Sequence, residues 1–199
     1  MAGKNFPPIL LGARGQVGKS LLRLIRGMGQ EAWVSSRTPN AGEYFVDFEQ
    51  PESLARFFSA YAEANPGAEA QVFLTGAFTH VDGCELDPEK SRRINIEGPL
   101  AVARECRARG FHLVYFSSEY VFGEAEYHGG SRGPFSEMDP VAPSSVYGHA
   151  KAEVETKLLA MAPELSSTII RTTVVFSWEP TDMNFAMQLR RFLAERLAP

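Results

Sequence analysis

One loop near the start of this chain narrows its possible folds more than any other segment. Gly12-Ala13-Arg14-Gly15-Gln16-Val17-Gly18 has the spacing G-x-x-G-x-x-G. It sits between a short apolar run, Pro8 to Leu11, and a helical pattern, Val17 to Met28. In that setting Gly12 lets the chain turn off a strand, Gly15 lets the backbone approach a pyrophosphate, and Gly18 lets the helix pack on the sheet. The helix start, with its unpaired N–H groups and the positive end of its dipole, then faces the phosphates. Arg14, Gln16 and Val17 complete the ligand-facing turn. Glycine spacing alone is weak; the strand before it and the helix after it are what give it weight. Gly18-Lys19-Ser20 suggests an ATPase loop, but that loop needs glycine where this chain has Ala13. We set it aside.

The rest of the chain alternates apolar runs with helical ones. After the helix to Met28, with Leu21, Leu22, Leu24 and Ile25 inward, Gly29 is the expected stop. Strands are expected at Ala32–Ser35, Tyr44–Val46, Gln71–Thr75, Phe111–Phe116 and within Ser167–Phe176. A helix opens at Pro51 and carries Leu54, Phe57, Phe58 and Tyr61. Another opens at the N-cap Asp87 with Pro88 behind it and runs to Gly110. Further helices are expected at Ser144–Met161 and, amphipathic with Phe185, Leu189, Phe192 and Leu193, at Met183–Leu197. No repeat or linker divides the chain. Such alternation builds parallel βαβ units: an α/β doubly wound parallel sheet with helices on both faces, one domain over residues 1–199, with ligands at the carboxyl ends of its strands.

The second strand speaks to the cofactor. A site for NAD normally has an acid there, which binds the ribose hydroxyls. This chain has Ser35-Ser36-Arg37, and the next acid is Glu43. Arg37, with Arg14, is placed to hold a 2′-phosphate by charge-assisted hydrogen bonds. NADP(H) is therefore expected over NAD(H). Ser36 joins this set, as does Asp47 at the end of the third strand, where it can accept from an adenine amino group. Phe48 follows it.

Two further segments carry chemistry. Tyr147-Gly148-His149-Ala150-Lys151 puts Tyr147 and Lys151 one helical turn apart on the same face. The strand to Phe116 delivers Ser117 and Ser118 at its carboxyl end, where a bound nicotinamide would lie. A phenol with a free pKa of about 10 is poorly poised near neutrality. A nearby ammonium is expected to lower it and also to reach the nicotinamide ribose, while a serine hydroxyl holds the substrate oxygen.

With these residues in view, the chain resembles the extended short-chain dehydrogenase/reductase superfamily, whose cofactor domain is the Rossmann fold. Within it, the similarity is to the dTDP-4-dehydrorhamnose reductase family. The resembling segments are Gly12–Gly18, Thr79–Glu85, Ile94–Gly98, Tyr115–Gly123, Val146–Lys151 and Arg171–Thr173. The resemblance implies Ser118, Tyr147 and Lys151 as the catalytic set. It places Gly76, Ala77 and Phe78 beside the cofactor, and Thr79, Glu119 and Tyr120 beside the substrate. It implies a nucleotide-sugar substrate with a 4-keto-6-deoxy sugar, and allows a homodimer. The same family also contains a regulatory β-subunit of methionine adenosyltransferase, so a cofactor-binding subunit without catalysis is the other expectation. Two segments depart from the family pattern: Thr75-Gly76, and the long glycine-rich stretch Gly123–Pro140.

Composition excludes other classes. Lys plus Arg is 20 against 24 Asp plus Glu, a net charge of −4 without the basic stripe of a nucleic-acid binder. No apolar run approaches the roughly 18 residues of a membrane span, and no secretion signal precedes the first strand. Cys84 and Cys106 read as reduced thiols, and scattered His80, His112, His128 and His149 as no metal site; Trp33 and Trp178 read as packing. A cytoplasmic protein is expected. Family members carry a substrate lobe beyond the point where this chain stops, so cofactor binding with slow turnover and an exposed apolar patch are expected.

Overall fold

The structure is a computed structural model and describes residues 6–123, 134–177 and 184–197. Ile9–Leu11 forms β1, and all three side chains are fully buried. A strand without a solvent face must be covered on both sides, as the centre of a parallel sheet is. Ile9 and Leu11 join the larger core cluster, while Leu10 points the other way into a smaller one. That is the two-residue alternation of a strand.

The sheet has six strands in the order β3-β2-β1-β4-β5-β6. Besides β1 these are β2 (Trp33–Ser36), β3 (Tyr44–Phe45), β4 (Gln71–Leu74), β5 (His112–Ser118) and β6 (Ser167–Thr172). Every pairing is parallel. The chain winds outward from β1 in one direction and then, from β4, in the other. At such a reversal the crossovers diverge and a crevice opens beyond the carboxyl ends of the strands.

Three helices cover one face with their apolar sides. They are α2 (Pro51–Ala64), α5 (Gly98–Arg109) and α6 (Val146–Ala160), and their buried residues share the larger cluster with β1, β4 and β5. On α2 the inward residues are Leu54, Phe57, Phe58 and Tyr61, as the sequence spacing predicts. Trp33 is packing: it stacks on Tyr44 at 4.5 Å and meets Phe57 and Tyr61 edge-on. Trp178 lies outside the described residues. Cys84 and Cys106 are both buried free thiols. No helix among the described residues is long and apolar enough to cross a membrane.

Three differences from the sequence expectation have physical reasons. In α1 (Gln16–Gly27), Leu24 is exposed rather than inward. At 100° per residue it lies well off the stripe made by Gly18, Leu21, Leu22 and Ile25. A short helix, α3 (Val81–Leu86), follows β4 where none was expected, capped by the His80 ring, whose Nδ1 accepts from the Gly83 N–H at 2.8 Å. The helix expected from Pro88 to Gly110 is divided into α4 (Pro88–Arg92), a π-helical segment Arg93–Glu97, and α5. Pro99 explains the wider turn, because its ring would strike the carbonyl four residues back and it has no N–H to donate. The last helix, α7 (Phe185–Leu197), falls within the expected span; Phe185, Leu189, Phe192 and Leu193 all face outward, and Met187 packs inward.

Candidate functional site

The glycine turn is held by backbone. The N–H groups of Gly12 and Ala13 donate to the Ser35 carbonyl at 3.3 and 3.2 Å, tying the end of β1 to the end of β2. Gly12 has φ +87°, and a Cβ there would lie 2.5 Å from the Gly76 nitrogen. Gly18 is demanded as strictly, since a Cβ would lie 2.4 Å from the Gly12 carbonyl oxygen. Gly15 differs. Its φ is an ordinary −69°, and the nearest atom to an added Cβ is 3.4 Å away. Nothing in the described protein requires glycine at 15; a ligand pressed against the turn would. The following helix α1 opens with no side-chain cap and no acid in its first turn. Its first N–H groups are thus left for an anion.

Across the strand ends from this turn lies a cleft of about 980 Å³. Every site residue named from the sequence lines it except Gly18, which is buried under the turn and acts through packing. Four buried polar atoms of cleft-lining residues have no hydrogen-bond partner among the described residues: Gln16 Nε2, Ser35 Oγ, Ser36 Oγ and Ser117 Oγ. A buried group left unpaired costs about 1–3 kcal/mol, so such atoms await a ligand's polar groups. An open glycine, an uncapped helix start and orphaned hydroxyls fit a dinucleotide.

The two arginines do not share one fate. Arg14 is engaged: Nη2 and Nε donate to Glu43 at 3.2 and 3.3 Å, and the same carboxylate accepts from the Asn40 N–H. The pairing leaves Arg37 as the guanidinium at the end of β2 with no ion pair among the described residues. Asp47 lines the cleft, and its Oδ1 accepts from the Glu49 N–H.

At the other end of the cleft, α6 presents Tyr147 and Lys151. Ser145 caps this helix through Gly148 N–H, and Glu85 of α3 accepts from the Val146 N–H at 2.7 Å. Gly148 permits close approach to the 3-10 turn Glu119–Val121, because a Cβ would lie 2.5 Å from the Tyr120 carbonyl oxygen. Tyr147 is buried and meets Tyr120 edge-on, with centroids 5.8 Å apart. Lys151 Nζ donates to the Phe116 carbonyl at 2.8 Å and lies 5.6 Å from the centre of the Tyr147 ring.

The electrostatics correct one expectation. Burial pushes the Tyr147 phenol above its ordinary range, and Cys84, Glu119 and Tyr120 add to the rise. Lys151 was expected to lower it. Instead the ammonium is aimed at a backbone carbonyl, and loss of water outweighs it. Burial also draws Lys151 itself down to about 8, opposed by Glu155 and Cys84. Ser118 is already engaged, its hydroxyl donating to Glu119 Oε2 at 2.9 Å.

Sequence reasoning missed Asn95. It is buried in the π-helical segment and holds the loop after β4 from both sides. Its Nδ2 donates to the Phe78 carbonyl and its Oδ1 accepts from the Phe78 N–H, each at 2.9 Å. The signal was present in Ile94–Gly98, but its partner lies 17 residues away. Also unforeseen at the cleft wall are Lys90, whose ammonium sits 5.3 Å from the centre of the Phe78 ring, and Phe185 and Gln188 of α7.

Comparison with known proteins gives the family and the fold. The family model described as RmlD substrate binding domain matches residues 8–198. The chain is 28% identical to a dTDP-4-dehydrorhamnose reductase of Mycobacterium tuberculosis (strain H37Rv), over 98% of this chain and 58% of that protein. It is 32% identical to the one of Streptomyces griseus, over 84% of this chain and 49% of the other. The chain thus spans about half the length of the curated relatives it matches. Among solved structures, a hypothetical dTDP-4-dehydrorhamnose reductase from Sulfolobus tokodaii superposes with a TM-score of 0.73 at 27% identity, covering 94% of this chain and 62% of that one. The fold alone is shared with a UDP-glucose 4-epimerase of Thermus thermophilus in complex with NAD. There the TM-score is 0.76 at 23% identity, covering 96% and 62% of the two chains.

Proposed function

This chain belongs to the RmlD substrate binding domain family, and from that premise we propose that it serves an NADP(H)-dependent reductase of a keto group on a nucleotide-linked 4-keto-6-deoxy sugar. The observation that carries the reading is the meeting, in one cleft, of the glycine turn at one end and Ser118, Tyr147 and Lys151 at the other. The nicotinamide, when bound, supplies the hydride. Tyr147 supplies the proton to the carbonyl oxygen as it becomes an alkoxide. A phenol held above its ordinary range keeps its proton at neutral pH but is a weak acid, so transfer depends on the strong basicity of the alkoxide that hydride addition creates. Lys151 sets the charge beside it, and Ser118 with Glu119 orients the substrate oxygen. The names of relatives support the substrate class, since several are dTDP-4-dehydrorhamnose reductases.

The test is NADPH oxidation followed by absorbance with a panel of ketosugar nucleotides, dTDP-4-dehydrorhamnose among them. Saturable oxidation that depends on the sugar supports the reading. Tight NADPH binding with no oxidation across the panel would leave a cofactor-binding protein of some other purpose.

Cofactor choice has its own test. Arg37 is the guanidinium available for a 2′-phosphate, and a charge-assisted hydrogen bond is worth roughly 1.5–3 kcal/mol, or about tenfold or more in affinity. NADPH is expected to bind at least about tenfold tighter than NADH, with Arg37→Ala erasing most of the gap. Arg14→Ala should change it less, because Arg14 is shared with Glu43. Fluorescence titration measures both, and equal affinities in the unaltered protein would overturn the preference.

A further inference from the structure

Lys151 does not stand alone in the core. One turn further along α6, Glu155 is 3% exposed, and it is gripped by Arg171 of β6. The guanidinium Nη2 donates to Glu155 Oε2 at 2.7 Å, and Nε reaches both carboxylate oxygens at 3.1 and 3.2 Å. Arg171 pairs in register with Ser117 of β5, the residue next to Phe116, whose carbonyl accepts from Lys151. A cation, an anion and a second cation thus follow one another from the cleft wall into the β5–β6 edge. Beyond them, Arg171 Nη1 donates to the Glu137 carbonyl at 3.3 Å, and its guanidinium lies 4.9 Å from the centre of the Phe122 ring.

A buried ion pair is weak evidence of stability, because desolvation offsets most of its attraction. The effect on a neighbouring charge is larger, since interactions inside a protein are poorly screened. We propose that Glu155, clamped by Arg171, is the positioning residue for Lys151, keeping its buried ammonium charged where it meets the Phe116 carbonyl at the cleft wall. The groups facing Lys151 are Tyr147 and Glu155 from α6, Tyr115 from β5 and Cys84 from α3, with Arg171 of β6 behind Glu155. Of these, Glu155 leads in favouring the charged form, against the desolvation that opposes it. The catalytic meaning rests on the reading of Lys151 proposed above; the charge relation itself does not.

The experiment is a pH titration of the Lys151 ε-methylene by carbon NMR in the cofactor-free protein, assigned with Lys151→Arg. Glu155→Gln should lower the Lys151 midpoint by about one pH unit or more, and Glu155→Asp, which keeps the charge, should restore most of it. Glu155→Gln strands Arg171, so the double variant Glu155→Gln/Arg171→Gln provides a neutral, hydrogen-bonding pair; its midpoint should still be lowered, but by less than in Glu155→Gln, because a neighbouring cation leaves with the anion. If the midpoint is unchanged in the folded variants while their melting temperatures fall, the pair is structural and the proposal is overturned. A lowered midpoint in a protein that reduces no ketosugar would leave the positioning role standing and remove the reductase reading instead.

Discussion

Tyr147→Phe is expected to lower kcat for carbonyl reduction by roughly two to four orders of magnitude, the usual contribution of a positioned general acid. NADPH affinity should stay within about twofold, because the ring and its contact with Tyr120 survive and only the proton donor is lost. The pH dependence sharpens the test. The phenol keeps its proton through neutral pH, whereas Lys151 loses its own near 8. Reductive kcat should therefore be level below about pH 8 and fall above it. Stability should move the other way. The folded value of Lys151 lies below its ordinary 10.5, so between about 8 and 10.5 the unfolded chain holds more protons than the native one. Stability then rises with pH across that window, and the penalty of the buried ammonium is fully present below it. An active Tyr147→Phe protein would remove the proton-donor role. A kcat that climbs through pH 8 in the reductive direction would remove the need for a charged Lys151.

The second large effect separates two glycines that look alike in sequence. Gly12→Ala forces a side chain into a backbone with φ +87° and brings its Cβ to 2.5 Å from the Gly76 nitrogen. Left-handed strain of about 1–2 kcal/mol and overpacking of about 1–3 kcal/mol add to roughly 2–5 kcal/mol, with about 3 as the central expectation. At about 2–4 °C per kcal/mol for a chain of this size, the melting temperature should fall by about 6–12 °C. Gly15→Ala meets nothing nearer than 3.4 Å in an ordinary backbone conformation, so its melting temperature should barely move. Its methyl group would instead stand where a pyrophosphate approaches, displacing one or more charge-assisted hydrogen bonds worth roughly 1.5–3 kcal/mol each. NADPH affinity should fall about tenfold to a hundredfold. Thermal melts and cofactor titrations on the same two samples decide the matter. Equal losses of stability would mean that Gly15 is structural and that the turn is not shaped for a ligand.

The parts of this protein that were legible in the sequence depend on neighbours a few residues away. The glycine turn is one: Gly12, Gly15 and Gly18 act on the backbone that immediately surrounds them. The pairing of Tyr147 with Lys151 is another, since four residues make one helical turn. The alternation of strands and helices is a third, because each apolar run records which faces must be covered. These features were enough to bring the named site residues to one cleft, with Gly18 beneath it.

What the sequence did not disclose depends on partners that are distant along the chain. Glu43 reaches Arg14 across 29 residues and pairs with it beside the cleft. Asn95 fastens Phe78 across 17 residues, through a π-helical turn whose cause, Pro99, looks harmless in a helical pattern. The direction of the Tyr147 pKa is the clearest case. Sequence shows that an ammonium is one turn away, but not that it is aimed at the Phe116 carbonyl, nor that the phenol is buried. Local spacing along this chain determined the fold class, the glycine turn and which side chains are candidates for the site. Tertiary structure decided which of those side chains remain available, because charge pairing and desolvation depend on three-dimensional distance and on the exclusion of water, and neither is written in the order of residues.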